Sequence, residues 1–512
     1  MKSYKYNLIT MIHLRNLALI LTLTGAFISC SRPKAPDTYI ETQELPVICP
    51  DYAEVTMPAN ICPPNFAVLQ GTRNVVARFT APGGLSYTYG EDGKIIIDED
   101  EWAELRNAAK GSGIAVEVFA KVSEEWVRFK PFNIYIAEED IDPYISYRNI
   151  QPSYVAFENI AIRQRNLTNY DEGDIYSNMP LSTEKSGQCI NCHSYQNYKT
   201  SRMLFHMRQG YGGTMIVDEG TIKKVDLKTD STISAGVYPS WHPQINVIAF
   251  STNNTGQSFH TKDIRKIEVQ DTRSDLILYD PQTDEVSIIE NDSNELEVFP
   301  CWSADGKTLY YCSAHFEYHN DSLAKETEMI RRYKEVHYNL YSKSFDPKTR
   351  TFGPSVKIFN ADSLGLSATL PRVSPDGKYL VFSLAEFGCF HVWHPDADIQ
   401  LMDLKTGEVR PLTELNSNQS ESYPSFSSNS RWIMTASRRD DGNYTRPYIS
   451  YFDKNGQCHK AFELPQRDPN FYTFFLRSYN RPEFMVEPVK VTPQEFVSIA
   501  REDPKKVTFK SK

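Results

Sequence analysis

The chain has 512 residues, enough for several domains and at least one large core. It carries 55 basic and 65 acidic side chains, a net charge of −10, which excludes the basic footprint that nucleic-acid binding requires. The 30 tyrosines, 27 phenylalanines and 30 prolines favour β architecture over helical bundles.

Residues 1–29 read as an export signal. Lys2, Lys5 and Arg15 form a basic leader, and Leu17 to Phe27 is an apolar run of signal-peptide length, too short for a spanning helix. The run ends at Ser29-Cys30, which resembles a bacterial lipobox, so cleavage before Cys30 and lipid attachment to it are expected. Removal of the signal leaves 52 basic and 65 acidic side chains, a balance of −13. The predicted location is the cell envelope, with the chain lipid-anchored to a membrane and facing the periplasm; display at the cell surface is the alternative. Residues 30–46 contain Pro33 and Pro36 and read as a tether.

From 47 to 137 short apolar runs alternate with turns: Phe66–Leu69, Val75–Phe79, Lys94–Ile97, Ile114–Phe119 and Phe132–Ile136. Asp100 to Lys110 is the one helical stretch here, with Asp100 as its N-cap. Strands at this spacing predict a β-sandwich-like domain of immunoglobulin type. Residues 138–212 are less regular, broken by Pro143, Pro152 and Pro180 and dense in tyrosine.

This irregular segment holds Cys189-Ile-Asn-Cys192-His193, the attachment pattern of covalent c-type haem. The two thiols are spaced to take up the haem vinyl groups, and the following His193 is placed to ligate the iron. One haem c is therefore the expected cofactor, with His206 as the sixth ligand and Met203 as its competitor, both ten to thirteen residues beyond His193. The competing readings are a redox-active or structural Cys189–Cys192 bridge; a zinc site lacks further ligands at conventional spacing. Among the other cysteines, Cys49 with Cys62 and Cys301 with Cys312 are candidate pairs that sequence leaves open.

From Gly213 the chain repeats. Tyr238-Pro-Ser-Trp241, Phe299-Pro-Cys-Trp302, Leu370-Pro-Arg-Val373 and Tyr423-Pro-Ser-Phe426 each precede a turn and an apolar strand; in the second and third copies the turn is Asp305-Gly306 and Asp376-Gly377. A second strand pair follows in every copy, as in Leu276–Asp280 and Glu285–Ile289. A recurring unit of four short strands is the pattern of a propeller blade. These residues resemble the TolB-type β-propeller, whose blades carry a P-x-W-S-P-D-G-K pattern. The resemblance implies a propeller over 213–490, a binding surface and no particular reaction. The proline spacings of 61, 71 and 53 residues exceed the usual blade of about 40–45, the excess falling between the second and third strands. Partial strands at 213–227 and 471–489 bring the expected blade count to six, with five as the alternative, and leave 491–512 as a tail.

The fold class is thus all-β, a sandwich-like domain followed by a TolB-like propeller. The expected function is an envelope lipoprotein with one c-type haem, acting in electron transfer or redox sensing and docking an envelope protein through the propeller. The alternative is a haem-free scaffold that recognises a protein or glycan. The histidines of the long loops (His260, His315, His319, His337, His391 and His394) fall on one propeller face, where they could bind a metal or present the distal ligand to the haem. A third reading, a hydrolase or lyase, would use that face, but no G-x-S-x-G, H-E-x-x-H or Walker motif accompanies it.

Overall fold

The computed structural model describes residues 33–511 apart from 72, 152–156 and 186–188, and the side chain of Phe157. The expected signal segment and Cys30 lie outside these residues. The chain is all-β, and among the described residues no sheet closes into a barrel.

The N-terminal domain pairs a seven-stranded sheet with a three-stranded one. Its longest strand, Ser112–Val122, is the hub: it pairs antiparallel with Val75–Thr80 on one side and with Glu125–Arg128 and Phe132–Ile136 on the other. Alternate residues Ile114, Val116 and Val118 point into the core, as a half-buried strand requires. The helix runs Glu99–Ala109, one residue earlier than the sequence suggests. Asp98, not Asp100, is its cap, accepting from the backbone N–H groups of Asp100 and Glu101. Trp102 and Leu105 on its inner face are fully buried.

The propeller has six blades and begins at Tyr144, so the boundary at 213 is corrected. Blade one takes three strands from the supposedly irregular segment, Tyr144–Ile150, Ala161–Asn166 and Glu172–Ser177. Its innermost strand, Ser478–Met485, comes from the far end of the chain. Blade two is Cys189–Gln196, Lys199–Arg208, Gly213–Asp218 and Thr221–Asp226. Blades three to six start with Val237–Trp241, Glu295–Trp302, Ser367–Val373 and Glu421–Phe426. Each of these first strands packs on the next, and Ser478–Met485 lies between those of blades six and two, closing the ring. Pairing strands from the two chain ends in one sheet turns an open array into a closed disc.

The repeat motif has a local cause. Ser303 and Ser374 Oγ donate to Asp305 and Asp376 Oδ1 at 2.7 Å, and Ser427 repeats the contact on Asn429 at 2.6 Å. Gly306 and Gly377 follow at φ 69° and 72°, a left-handed conformation that glycine adopts without steric cost. The long insertions do lie between second and third strands. In blade three they extend the hairpin Ile248–Phe259 and Ile267–Asp280, and in blade four they carry the helix Lys325–Arg332.

Residues 491–512 are structured through most of their length rather than a loose tail. The helix Pro493–Ala500 is closed by a capping box at Thr492 and Glu495 and buries Phe496 against Tyr176 and Phe205. Lys505–Lys506 and Thr508–Phe509 then add parallel strands to the outer edges of blades two and three. The sandwich and blade six share one core, in which Trp432 is fully buried and donates to the Asp140 carbonyl at 3.0 Å. All eight described cysteines are free thiols, so neither candidate pair forms a bridge.

Candidate functional site: the propeller channel

Every inner strand carries the same irregularity. Cys192, Tyr238, Phe299, Leu370, Tyr423 and Arg481 all adopt positive φ, between 49° and 56°. At each of them the ladder register shifts, the mark of a β-bulge. A bulged residue is out of the ladder, so the next position tolerates proline. Five blades place Pro239, Pro300, Pro371, Pro424 and Pro482 there; blade two places His193. The haem-type motif is therefore the blade-two copy of the propeller repeat, with Cys192-His193 standing where the others have a residue followed by proline.

The ring of bulges narrows the channel to a neck of about 40 Å³. On one side lies a chamber of about 830 Å³. On the other is a smaller mouth of about 140 Å³, where Arg372 meets Glu483 at 3.1 Å. Cys189 and Cys192 both line the chamber. In a regular strand, residues three apart face opposite sides; the bulge at Cys192 resets the alternation and brings both thiols to one wall.

The other walls are Tyr238, Tyr423, Phe390 and Trp393, with Arg148, Arg208, Lys266 and Arg481 as charged members. No acidic residue lines the chamber among the described residues. Its chemistry is that of an apolar cleft with a cationic rim, and its volume falls in the range of about 300–1,000 Å³ usual for cofactor and small-molecule sites.

His193 does not itself line the chamber; it follows Cys192, which does, and lies under the influence of Glu483, Arg481 and Arg148. It is fully buried. Burial pushes its imidazole down to about 4, with Glu483 opposing and the two arginines reinforcing, so the ring is neutral at pH 7. The Ser146 backbone also comes near enough to favour protonation, yet neither ring nitrogen has a partner of hydrogen-bond geometry among the described residues. A buried neutral imidazole with both nitrogens unpaired is costly unless something else engages it.

The structure does not bring Met203 and His206 to this site. Met203 shares one face of its strand with Phe205 and Met207 and is buried in the core around Tyr176. His206 points the other way, across from Thr214, whose hydroxyl lies 3.2 Å from Nδ1. Burial holds it down to about 3, with Arg208 adding to the effect.

The loop histidines divide. His391 is fully buried and committed to Thr369 and Ser383 hydroxyls at 3.0 Å and the Gly388 carbonyl at 3.1 Å. His394 pairs with buried Glu268 at 2.8 Å, and His315 with Glu295 at 3.0 Å. No cluster of three His, Cys, Asp or Glu side chains suited to a metal ion occurs among the described residues. His260 alone of this group lines the chamber.

Sequence reasoning missed Arg148, Arg481 and Lys266, and named His260 only as one of six loop histidines. One signal was present: Arg481-Pro482-Glu483-Phe484 matches the pattern of a residue, proline, a third residue and an aromatic in the inner strands of blades three, four and six, and marks 478–485 as a blade strand. The remaining residues reach the chamber through tertiary contacts that no local pattern encodes.

No protein-family profile matches the chain. No curated protein matches it either. Solved structures similar to it include oligogalacturonate lyase in complex with manganese, at 15% identity over 62% of this chain and 84% of that one, with a TM-score of 0.31. An ACO/RPE65 chimera is 12% identical over 88% of this chain and 97% of its own, with a TM-score of 0.39. Prolyl oligopeptidase B from Galerina marginata is 9% identical over 76% and 44%, with a TM-score of 0.37. These likenesses are too distant to bear on activity, and the propeller stands on the sheet topology described above.

Proposed function

We propose that this chain is an envelope lipoprotein, anchored through Cys30, that holds one c-type haem in the channel chamber and serves electron transfer or redox sensing. The observation that carries the reading is the single break in the propeller repeat. Only blade two replaces the proline of the bulge, and it does so with a buried histidine whose nitrogens are unpaired, beside two free thiols on one chamber wall. The residues fit the group: two thiols for thioether attachment, a neutral imidazole for the iron, and an apolar cleft with cations for the carboxylates.

When bound, such a haem supplies a reversible one-electron change at iron. The chain's own part is to exclude water with Tyr238, Tyr423, Phe390 and Trp393, to hold His193 neutral by burial, and to set charge around the site with Arg148 and Arg481. Glu483, salt-bridged to both Arg372 and Arg481, favours positive charge on the His193 ring, as it would on a ligated iron. An envelope protein that exchanges electrons or reads the redox state is the expected partner, docked on the propeller.

A second reading is a haem-free scaffold whose propeller recognises a protein or glycan. It is favoured by the pairing of Cys189–Gln196 as a bulged β-strand, which holds the thiols in a sheet instead of on a helical turn. The hydrolase or lyase reading loses two of its six histidines, since His391 and His394 are tied into hydrogen bonds inside the fold.

The test is expression of the exported chain in cells competent for cytochrome c maturation, followed by a denaturing haem stain. A stained band that disappears in Cys189→Ala and Cys192→Ala supports the haem reading. Absence of the band in the parent chain, or a band indifferent to both substitutions, sinks it and leaves the scaffold.

A further inference from the structure

The blade-three hairpin is built differently from the others. Its two strands run 12 and 14 residues, against 8 and 8 at the same place in blade four and 7 and 6 in blade five. The extra length carries the hairpin past the edge of its blade and along the chamber, where Thr255, Gln257, His260, Lys266 and Ile267 form one wall. The tip is closed by the His260 N–H donating to the Lys266 carbonyl at 2.9 Å.

At that tip the His260 ring stacks on Tyr333, centroids 5.8 Å apart and planes 29° from parallel. Tyr333 belongs to the blade-four insertion, so two separate insertions fix the orientation of the imidazole. Its Nε2 is buried and has no hydrogen-bond partner among the described residues. The hairpin is held internally by Thr255 donating to Asp271 at 2.6 Å and Asn253 to Asp271 at 2.7 Å, so its position does not depend on a ligand. The chamber thus has the two thiols on its blade-two wall and a fixed imidazole with a vacant nitrogen on its blade-three wall. Neither Met203 nor His206 reaches it, and of the six loop histidines only His260 does.

Resting on the haem reading above, we infer that His260 is the second axial ligand of the iron, delivered by the blade-three hairpin from outside the segment that carries the attachment motif. Lys266 on the same hairpin, with Arg208 on the second strand of blade two, would supply positive charge for the haem carboxylates. Two imidazole ligands would make the iron low-spin and leave no open position for an exogenous ligand. This restricts the site to electron exchange and closes it to small-molecule binding for as long as the hairpin stays seated.

The experiment uses the exported, haem-loaded chain. The denaturing stain first establishes covalent haem; absorption and electron paramagnetic resonance spectra then report spin state, and carbon monoxide reports an open position. The parent is expected to be low-spin and unreactive to carbon monoxide. His260→Ala is expected to keep its covalent haem, lose the low-spin signal and bind carbon monoxide in the ferrous form, with added imidazole restoring the low-spin spectrum. Met203→Leu and His206→Gln are expected to leave the spectra unchanged. A His260→Ala protein that stays low-spin and unreactive overturns the assignment while leaving the haem reading intact, as does a parent that is already high-spin. A parent without covalent haem overturns both. Because His260 lies at a partly exposed hairpin tip, the melting transition of the variant, followed alongside, separates a lost ligand from a lost fold; a spectral change that imidazole does not reverse counts against the assignment.

Discussion

Replacing His193 by proline tests whether this residue is kept for the fold or for a ligand. Five blades already hold proline at the matching position, each after a residue at positive φ, so the backbone of blade two is shaped to accept it. The register shift between Asn191 and Ser194 takes residue 193 out of the ladder, and no strand pair is lost. In the haem-free chain the imidazole carries two unpaired buried nitrogens, each costing roughly 1 kcal/mol at the low end of the usual range. Proline adds about 0.5 kcal/mol by restricting the unfolded chain. The smaller ring leaves a gap that takes back about 1 kcal/mol. The net expectation is a haem-free His193→Pro protein more stable by about 1.5 kcal/mol, a tenfold or so gain in the folding equilibrium. Urea unfolding followed by tryptophan fluorescence reads this directly, since Trp241 and Trp302 stand on neighbouring inner strands. In the haem-loaded chain the same substitution should abolish the low-spin spectrum. A haem-free variant less stable than its parent would refute the reasoning, because the imidazole would then be a structural member of the bulge.

Glu297, on the inner strand of blade four, is buried and its carboxyl is pushed up to about 9 by burial first, with Asp275, Glu290 and Glu295 adding and the Asp292 N–H opposing. Its folded value lies above the unfolded one, so its contribution is complete below about pH 4.5 and is lost as pH rises toward 9, by up to about 4 kcal/mol between about pH 5 and pH 8. Glu297→Gln should flatten that decline in urea midpoints measured at the two pH values; an unchanged slope would place the titration elsewhere. Trp102→Ala in the sandwich helix removes a fully buried indole and leaves the Ile61 carbonyl, which it meets at 3.0 Å, without its donor. It should cost about 3–5 kcal/mol and expose the N-terminal domain to protease before the propeller; simultaneous cleavage of both would show that the shared core makes them one cooperative unit.

The chain itself announces the propeller because each blade repeats a local solution. The serine-to-Asp-Gly turn and the residue-proline bulge recur with the same hydrogen bonds and the same left-handed φ, so identical short-range physics leaves identical short-range sequence. Four blades were readable for this reason; the count of six came from partial strands at 213–227 and 471–489, one of which falls in blade two and the other in blade one. The attachment motif was readable too, since its five residues act at neighbouring positions.

What failed to show were the pieces joined across distance. Residues 144–177 look irregular because their blade lacks its own inner strand, and that strand, Ser478–Met485, arrives only after the chain has gone once around the ring. His206 and Met203 look like ligands by proximity in sequence, yet strand alternation turns Met203 into one core and His206 toward Thr214. His260 lies 67 positions from His193 in the chain, and only the closure of the disc sets its hairpin along the chamber that Cys189 and Cys192 line. Sequence determined the blade, the turn and the motif, since each depends on residues a few bonds apart. The closed ring decided which side chains share the channel, since strands meet there by packing and not by order.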